Sequence, residues 1–384
     1  MKYYDYIITG AGAAGLMLAY RLAKDSFFDQ KSILIIDSIE RNTDDRTWSF
    51  WEDSDGEWDG LVSKYWDSVI FADSKSHLKL SLSPYRYKMI NSKDFYQEVW
   101  SVIRSKSNIK FLKQEVVNII PNNKNVEVHT RDMIFTASKL FNSIPNPENY
   151  TKQNKYPVLQ QHFVGWFIKT DTSCFDSSTA TFMDFGIPQE GNTRFMYVLP
   201  ISSNKALVEY TLFSKELLDY SSYEAGIKAY LERRGIANYT ILRKEQGAIP
   251  MTVYPFSAHN SSKLVNIGTN GGWTKPSTGY TFNNCSRKTL DLLNALKGDS
   301  NLKRFDKITK FTFYDMLFLD VLSAQNKLGS ELFSKLFHKV DVKTLFRFLD
   351  DSSSFKEDLK IITSVPSILF IRALIKRLFS FVTQ

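Results

Sequence analysis

The sequence predicts an α/β protein: a parallel, doubly wound domain that receives an inserted antiparallel sheet and ends in a helical C-terminal region. Three observations carry this. An apolar segment at 6–9 runs directly into a glycine loop at 10–15, a helix, and a second apolar segment at 32–37. Between residues 160 and 213 the pattern changes to consecutive short strands divided by turn residues. Beyond about Phe311 the chain is mostly helical and basic.

Taken in order, 6–9 (YIIT) is a short strand and 16–23 (LMLAYRLA) a helix. Segment 32–37 is apolar without alternation, as a parallel strand buried on both faces should be. Strand, loop, helix and strand at this spacing form a βαβ unit. Residues 133–143, followed by Pro145 and Pro147, read as a later strand leaving that domain. Strands are then expected at 161–170, 179–185, 193–199 and 205–213, with a helix at 221–234. This places the parallel domain at 1–150 and 245–300, the antiparallel-sheet domain at 151–244, and the helical, basic region at 301–384.

Composition narrows the function. Of 384 residues, 43% are hydrophobic and 23% charged, values of a folded globular chain. Aromatics reach 14%, with 29 Phe, 19 Tyr and 7 Trp, which reads either as compositional drift or as rings lining a site for a large apolar ligand. Cys174 and Cys285 stand far apart and the five histidines are scattered, so neither a disulfide framework nor a metal centre is expected, and a reducing, cytoplasmic compartment is. Net charge is +8, and residues 301–384 supply +5 of it. No zinc-finger or RNP-like motif accompanies this charge, so nucleic acid is not the expected partner. The N-terminus does not read as a signal peptide, and no apolar run is long enough to span a bilayer.

The first glycine loop matches a dinucleotide site. Gly10 allows the tight turn, Gly12 lets the backbone approach a pyrophosphate, and Gly15 permits close helix–strand packing. Ala13 and Ala14 open the helix whose free N–H groups and dipole favour phosphate. Asp37, ending the second strand, is placed to bond a ribose. These residues accommodate FAD or NAD alike. A second segment bears on the choice: strand 264–268, then the loop TNGGWTKPSTGY at 269–280, with Gly268, Gly271, Gly272 and Gly279. It resembles the second flavin-contacting segment of two-domain flavoproteins, which implies a Rossmann-type FAD-binding domain. Flavin hydroxylases carry Gly-Asp at this point, whereas this chain has Gly268-Thr269. The other reading is an ordinary capped loop.

Four blocks resemble the flavin-dependent lycopene β-cyclases of bacteria and plants. They are DRTWSFW at 45–51, IGTNGGWTKPSTGY at 267–280, the middle region from FMDF at 182–185 through RFMYVLP at 194–200 to VEYT at 208–211, and FRFLD at 346–350 with DLKI at 358–361. The resemblance implies a redox-neutral isomerisation. An acid protonates the terminal alkene of a ψ-end of lycopene, the neighbouring alkene captures the cation, and loss of a ring proton leaves a β-ionone ring. It further implies reduced FAD as the working cofactor, NAD(P)H as its reductant, and lycopene and related carotenoids as substrates.

Protonating an isolated alkene needs a strong acid in a site that excludes water, and a desolvated carboxylic acid holds such a proton in reserve. Glu209, within the apolar segment 206–212 and at the family's acidic motif, is the expected acid; a solvent-facing Glu on an antiparallel strand is the competing reading. Many relatives carry a second acid next to it, where this chain has Tyr210. Trp48, Trp51, Trp273 and Tyr197 are ring candidates for contact with the cation, with core packing as the alternative. Arg46 is read as a flavin-phosphate ligand or a loop organiser, and Asp184 as a second acid or a structural cap.

Residues 361–382 alternate apolar clusters with Arg372, Lys376 and Arg377 and contain no acid. This fits a helix lying on an anionic leaflet, or a core helix with snorkelling cations; a bilayer-resident polyene favours the former, with Pro366 as its start or a kink. Peripheral association with the inner face of the membrane is therefore expected. Two other activities remain: a flavin oxidoreductase acting on an isoprenoid, and a non-catalytic carotenoid or flavin carrier.

Overall fold

A computed structural model describes residues 2–298, 301–306 and 308–382. Its first sheet has seven strands. Ile109–Lys113, Ile33–Asp37, Lys2–Thr9 and Ile134–Asn142 lie side by side in parallel, and Leu264–Asn266 pairs in parallel with the end of the last of these. Val116–Pro121 and Val126–Thr130 extend the sheet antiparallel. The unbroken apolar run at 33–36 is explained by burial on both faces. Ile33 and Ile35, with Ile8, pack beneath the helices, whereas Leu34 and Ile36, with Ile7, join a separate core with Val126, Val128 and Leu140. The helix Ala13–Lys24 is buried along almost its whole length between this sheet and the helix Phe282–Lys297.

The second sheet, also of seven strands, is mixed. Its order is Tyr239–Met251, Leu159–Thr170, Lys205–Ser214, Thr193–Ser202, Thr179–Asp184, Ser68–Ala72 and His77–Ser81. The expected strands of the 160–213 region are all present, but the sheet does not respect the expected boundaries. The break placed at 244/245 falls inside a strand that pairs with Leu159–Thr170 as far as Met251. Two more strands come from 68–81, where Ser68–Ala72 joins Thr179–Asp184 in parallel. Short segments such as HLKLS carry too little pattern to reveal which sheet they will join. A third sheet, of Thr47–Glu52, Arg86–Asn91 and Val62–Trp66, is formed by chain between two strands of the first sheet and has no counterpart in the sequence expectation.

The Lys205–Ser214 strand shows how the second sheet is built. Val208, Tyr210 and Leu212 face the helix Tyr220–Arg233 and its residues Tyr223, Ile227 and Tyr230. Leu207, Glu209 and Phe213 point the other way, into the interior of the molecule. That interior is closed by helices Lys310–Ala324, Gly329–Lys339, Val342–Leu349, Phe355–Ser364 and Ser367–Val382. Pro366 stands between the last two, where the first of them has ended.

Candidate active site

A cavity of about 1070 Å³ borders both glycine loops, the inner face of the second sheet and the C-terminal helices. Gly10, Gly12, Ala13, Ala14 and Asp37 line it, as do Gly268 and Gly279 from the second loop. Gly10 and Gly268 have φ of +93° and +62°, backbone that disfavours other residues. A Cβ on Gly12 would meet nothing within 4 Å, so the backbone there is open to the cavity. The helix Ala13–Lys24 begins without a side-chain cap and without an acid in its first turn. Its leading N–H groups are thus left for an anion, which is the donor set a dinucleotide pyrophosphate requires. Asp37 Oδ2 accepts the Ala11 amide at 2.6 Å and its Oδ1 the Ile39 amide at 3.0 Å, which fixes the carboxylate beside the loop.

Glu209 is 7% exposed and lines the same cavity. Thr211 Oγ1 donates to its Oε1 at 2.6 Å. Burial first, and then the charge of Glu245, push its pKa up to about 8. A carboxyl in this position keeps its proton at neutral pH, which disposes of the solvent-facing reading. Opposite Glu209 in register stands Tyr197, whose hydroxyl is 2.6 Å from that of Tyr87; Tyr87 in turn is 2.8 Å from the hydroxyl of Tyr280. Tyr87 is buried and Tyr197 and Tyr280 partly so, and desolvation of the hydroxyls holds all three well above their ordinary pKa, so the cluster stays neutral.

The other expected site residues divide. Trp48 lines the cavity, stacked on Phe282 at 5.1 Å and edge-on to Phe95 and Tyr96. Trp51, Trp273 and Asp184 do not line it. Trp51 stacks on Phe346 at 4.5 Å and its Nε1 donates to Asp350 Oδ2 at 2.7 Å, so this ring joins a strand to a helix. Strand alternation is the reason: Thr47–Glu52 presents Trp48 and Trp51 to opposite sides. Trp273 is 1% exposed and belongs to the core under the parallel sheet. Asp184 accepts from the Gly186 amide and the Tyr230 hydroxyl, the contacts of a structural cap. Arg46 borders the cavity and bonds the carbonyls of Asp45 and Gln246, the contacts of a loop organiser. Gly15, Gly271 and Gly272 also lie off the cavity wall. Gly15 is pressed against the Gly10 carbonyl, Gly271 against that of Asn266, and Gly272 against the Phe256 ring, so their part is to shape the two loops.

Sequence reasoning missed Glu245, Gln161, Tyr87 and Tyr280, all of which line the cavity. Glu245 sits in RKEQ, which reads as a solvated strand, yet it is 9% exposed. No local signal marks it; pairing of its strand with Leu159–Thr170 turns it inward. The wall on the side of the C-terminal helices is mainly apolar, with Phe318, Phe333, Phe337, Phe346 and Phe370 contributed by them. That is where part of the aromatic excess resides.

The family model for lycopene cyclase protein matches residues 5–375 of the chain. A lycopene beta-cyclase of Pantoea ananas is 25% identical over 295 residues, covering 73% of this chain and 71% of that one. Among solved structures, a geranylgeranyl bacteriochlorophyll reductase-like protein from Thermoplasma acidophilum superposes with a TM-score of 0.61 at 11% identity, over 98% of this chain and 100% of that one. A mutant of the halogenase PltM in complex with FAD does so with a TM-score of 0.57 at 11% identity, over 90% of this chain and 79% of that one. The chain shares the fold of these two proteins, the second of which is in complex with FAD.

Proposed function

The chain belongs to the lycopene cyclase family, and we propose that it closes the ψ-ends of lycopene into β-ionone rings with Glu209 as the acid. The observation that carries this is the Glu209 carboxyl, buried on the wall of a large cavity that also borders the two glycine loops, where burial favours its protonated form. The Glu209 carboxyl gives its proton to the terminal alkene, the neighbouring alkene forms the new carbon–carbon bond, and a ring proton returns to the Glu209 carboxylate. Substrate and product are isomers, so protons and electrons balance with no net reductant. The uncapped helix at Ala13 and the open backbone at Gly12 would hold the pyrophosphate of FAD, with Asp37 beside its ribose. Reduced flavin, if bound by these residues, would supply electron density to a developing cation, and reduced nicotinamide would keep it reduced. Trp48 and the neutral Tyr87–Tyr197–Tyr280 cluster present rings and hydroxyls to the same space without a strong nucleophile. The apolar walls exclude the water that would otherwise quench the cation.

The helix Ser367–Val382 supports substrate entry from a membrane. Phe370, Ile371 and Leu374 border the cavity, while Ile368, Ile375 and Leu378 are exposed at 59%, 46% and 56%. Such exposure excludes a core helix. Arg372 and Lys376 are also exposed, whereas Arg377 turns inward to a bidentate pair with Asp320 at 2.6 Å. Basic and apolar groups on one exposed helix suit an anionic leaflet. Among the described residues no helix is long and apolar enough to cross a membrane.

Expression in a lycopene-accumulating host, followed by pigment analysis, tests the reading. β-Carotene, with γ-carotene as the half-cyclised species, is the expected product. Unchanged lycopene in the presence of folded, yellow protein would overturn the reading.

A further inference from the structure

Gly165 has Glu209 as its cross-strand neighbour on one side and Glu245 on the other. A Cβ at Gly165 would lie 3.5 Å from Cβ of Glu209 and 3.3 Å from Cγ of Glu245. The missing side chain therefore leaves two carboxyl groups facing one cavity across a single backbone position, both buried. Their surroundings differ. Glu245 accepts from Thr47 Oγ1 at 2.8 Å and has the Arg243 guanidinium at 3.8 Å, with Arg46 also near and Asp44 opposing them. Facing Glu209 are Thr211, the neutral phenols of Tyr197 and Tyr280 with Tyr87 behind them, and Glu245; no cation accompanies it among these.

We infer that Glu209 and Glu245 are electrostatically coupled across Gly165, and that Glu245 is the positioning residue whose ionised form keeps the proton on Glu209. Two carboxylates facing one dry site disfavour each other's ionisation, and the member with hydrogen-bond donors and cations keeps the negative charge. Donation from Thr47 and the field of Arg243 favour the carboxylate at Glu245. Burial and the Glu245 charge then hold the acid form at Glu209, in agreement with its pKa near 8 against about 7 for Glu245. As two coupled carboxyls they titrate as a pair, with the first proton leaving mainly from the Glu245 side. The inference deepens the cyclase reading and rests on it only for its consequence in turnover.

The test titrates the flavin-loaded full chain by infrared spectroscopy, following the carbonyl stretch of protonated carboxyls. The Glu209 band is identified by its absence in Glu209→Gln. In Glu245→Gln the midpoint of that band should fall by about one pH unit, because the like charge is gone. Glu245→Asp, which restores the charge, should return it toward the wild-type value. Thr47→Val, which removes only the donor that favours the Glu245 carboxylate, should shift it in the same direction by less, and covers the case in which Glu245→Gln does not fold. The alkaline limb of cyclisation should move with the band. A Glu209 midpoint unchanged in Glu245→Gln, or in Thr47→Val if the former is lost, overturns the pairing. If the wild type forms no ring, the cyclase reading falls, while the infrared titration still decides the pair.

Discussion

Lys275 and Asp315 form an ion pair at 3.0 Å in which each side chain is 4% exposed. It joins the second glycine loop to the helix Lys310–Ala324, and Asp351 adds a second carboxylate to the Lys275 ammonium at 2.6 Å. The loop bordering the proposed flavin site is thus anchored to the helical wall of the cavity.

Removing the cation should cost more than the pair contributes. Lys275→Met leaves Asp315 buried with an uncompensated charge, a change of about 3–5 kcal/mol in comparable buried pairs. Lys275→Met with Asp315→Leu should recover most of that loss. Chemical denaturation of the two variants beside wild type measures both.

Gly12→Val separates fold from cofactor. A Cβ there meets nothing within 4 Å beyond its chain neighbours, so thermal stability should change little, while the space facing the cavity fills. The purified variant should lack the flavin absorbance of wild type. A variant that stays fully yellow would move the cofactor away from this loop.

Glu209→Gln should lower cyclisation by about 10²–10⁴-fold, the usual contribution of a general acid, and leave flavin content unchanged. In wild type, activity should hold at neutral pH and decline as pH rises through about 8, where Glu209 loses its proton. Stability should follow the same sign. The folded pKa is above the unfolded value, so folding binds a proton, and the resulting stabilisation is full at acid pH and lost as pH rises toward 8. Melting temperatures between pH 5 and 9 should therefore fall less steeply in Glu209→Gln.

Ile368→Asp with Leu378→Asp should weaken sedimentation with anionic vesicles and leave the circular dichroism spectrum unchanged, because both positions are exposed and neither borders the cavity. Neutral vesicles or added salt should weaken wild-type binding as well. Wild-type protein that ignores vesicles of any composition would remove the proposed route of entry.

Much of this molecule was legible as a string. The strand–loop–helix–strand of the first forty residues and the antiparallel run from 160 to 213 are local patterns: they depend on residues close in sequence and on periods of two and 3.6. The sequence could also order the rings of DRTWSFW without saying which way they turn. Trp48 faces the cavity and Trp51 the helical core because the Thr47–Glu52 strand lies between the two, a fact set by its partner Arg86–Asn91.

Glu245 shows the limit most clearly. Its neighbours Arg243, Lys244 and Gln246 describe a wet strand, and its burial arises only because that strand pairs with Leu159–Thr170 and brings it beside Gly165 and Glu209. The sequence by itself determined the two glycine loops, the strand bearing Glu209 and the family. The tertiary structure alone decided which carboxyl stands next to that acid, because desolvation and charge proximity depend on distance through space and not along the chain.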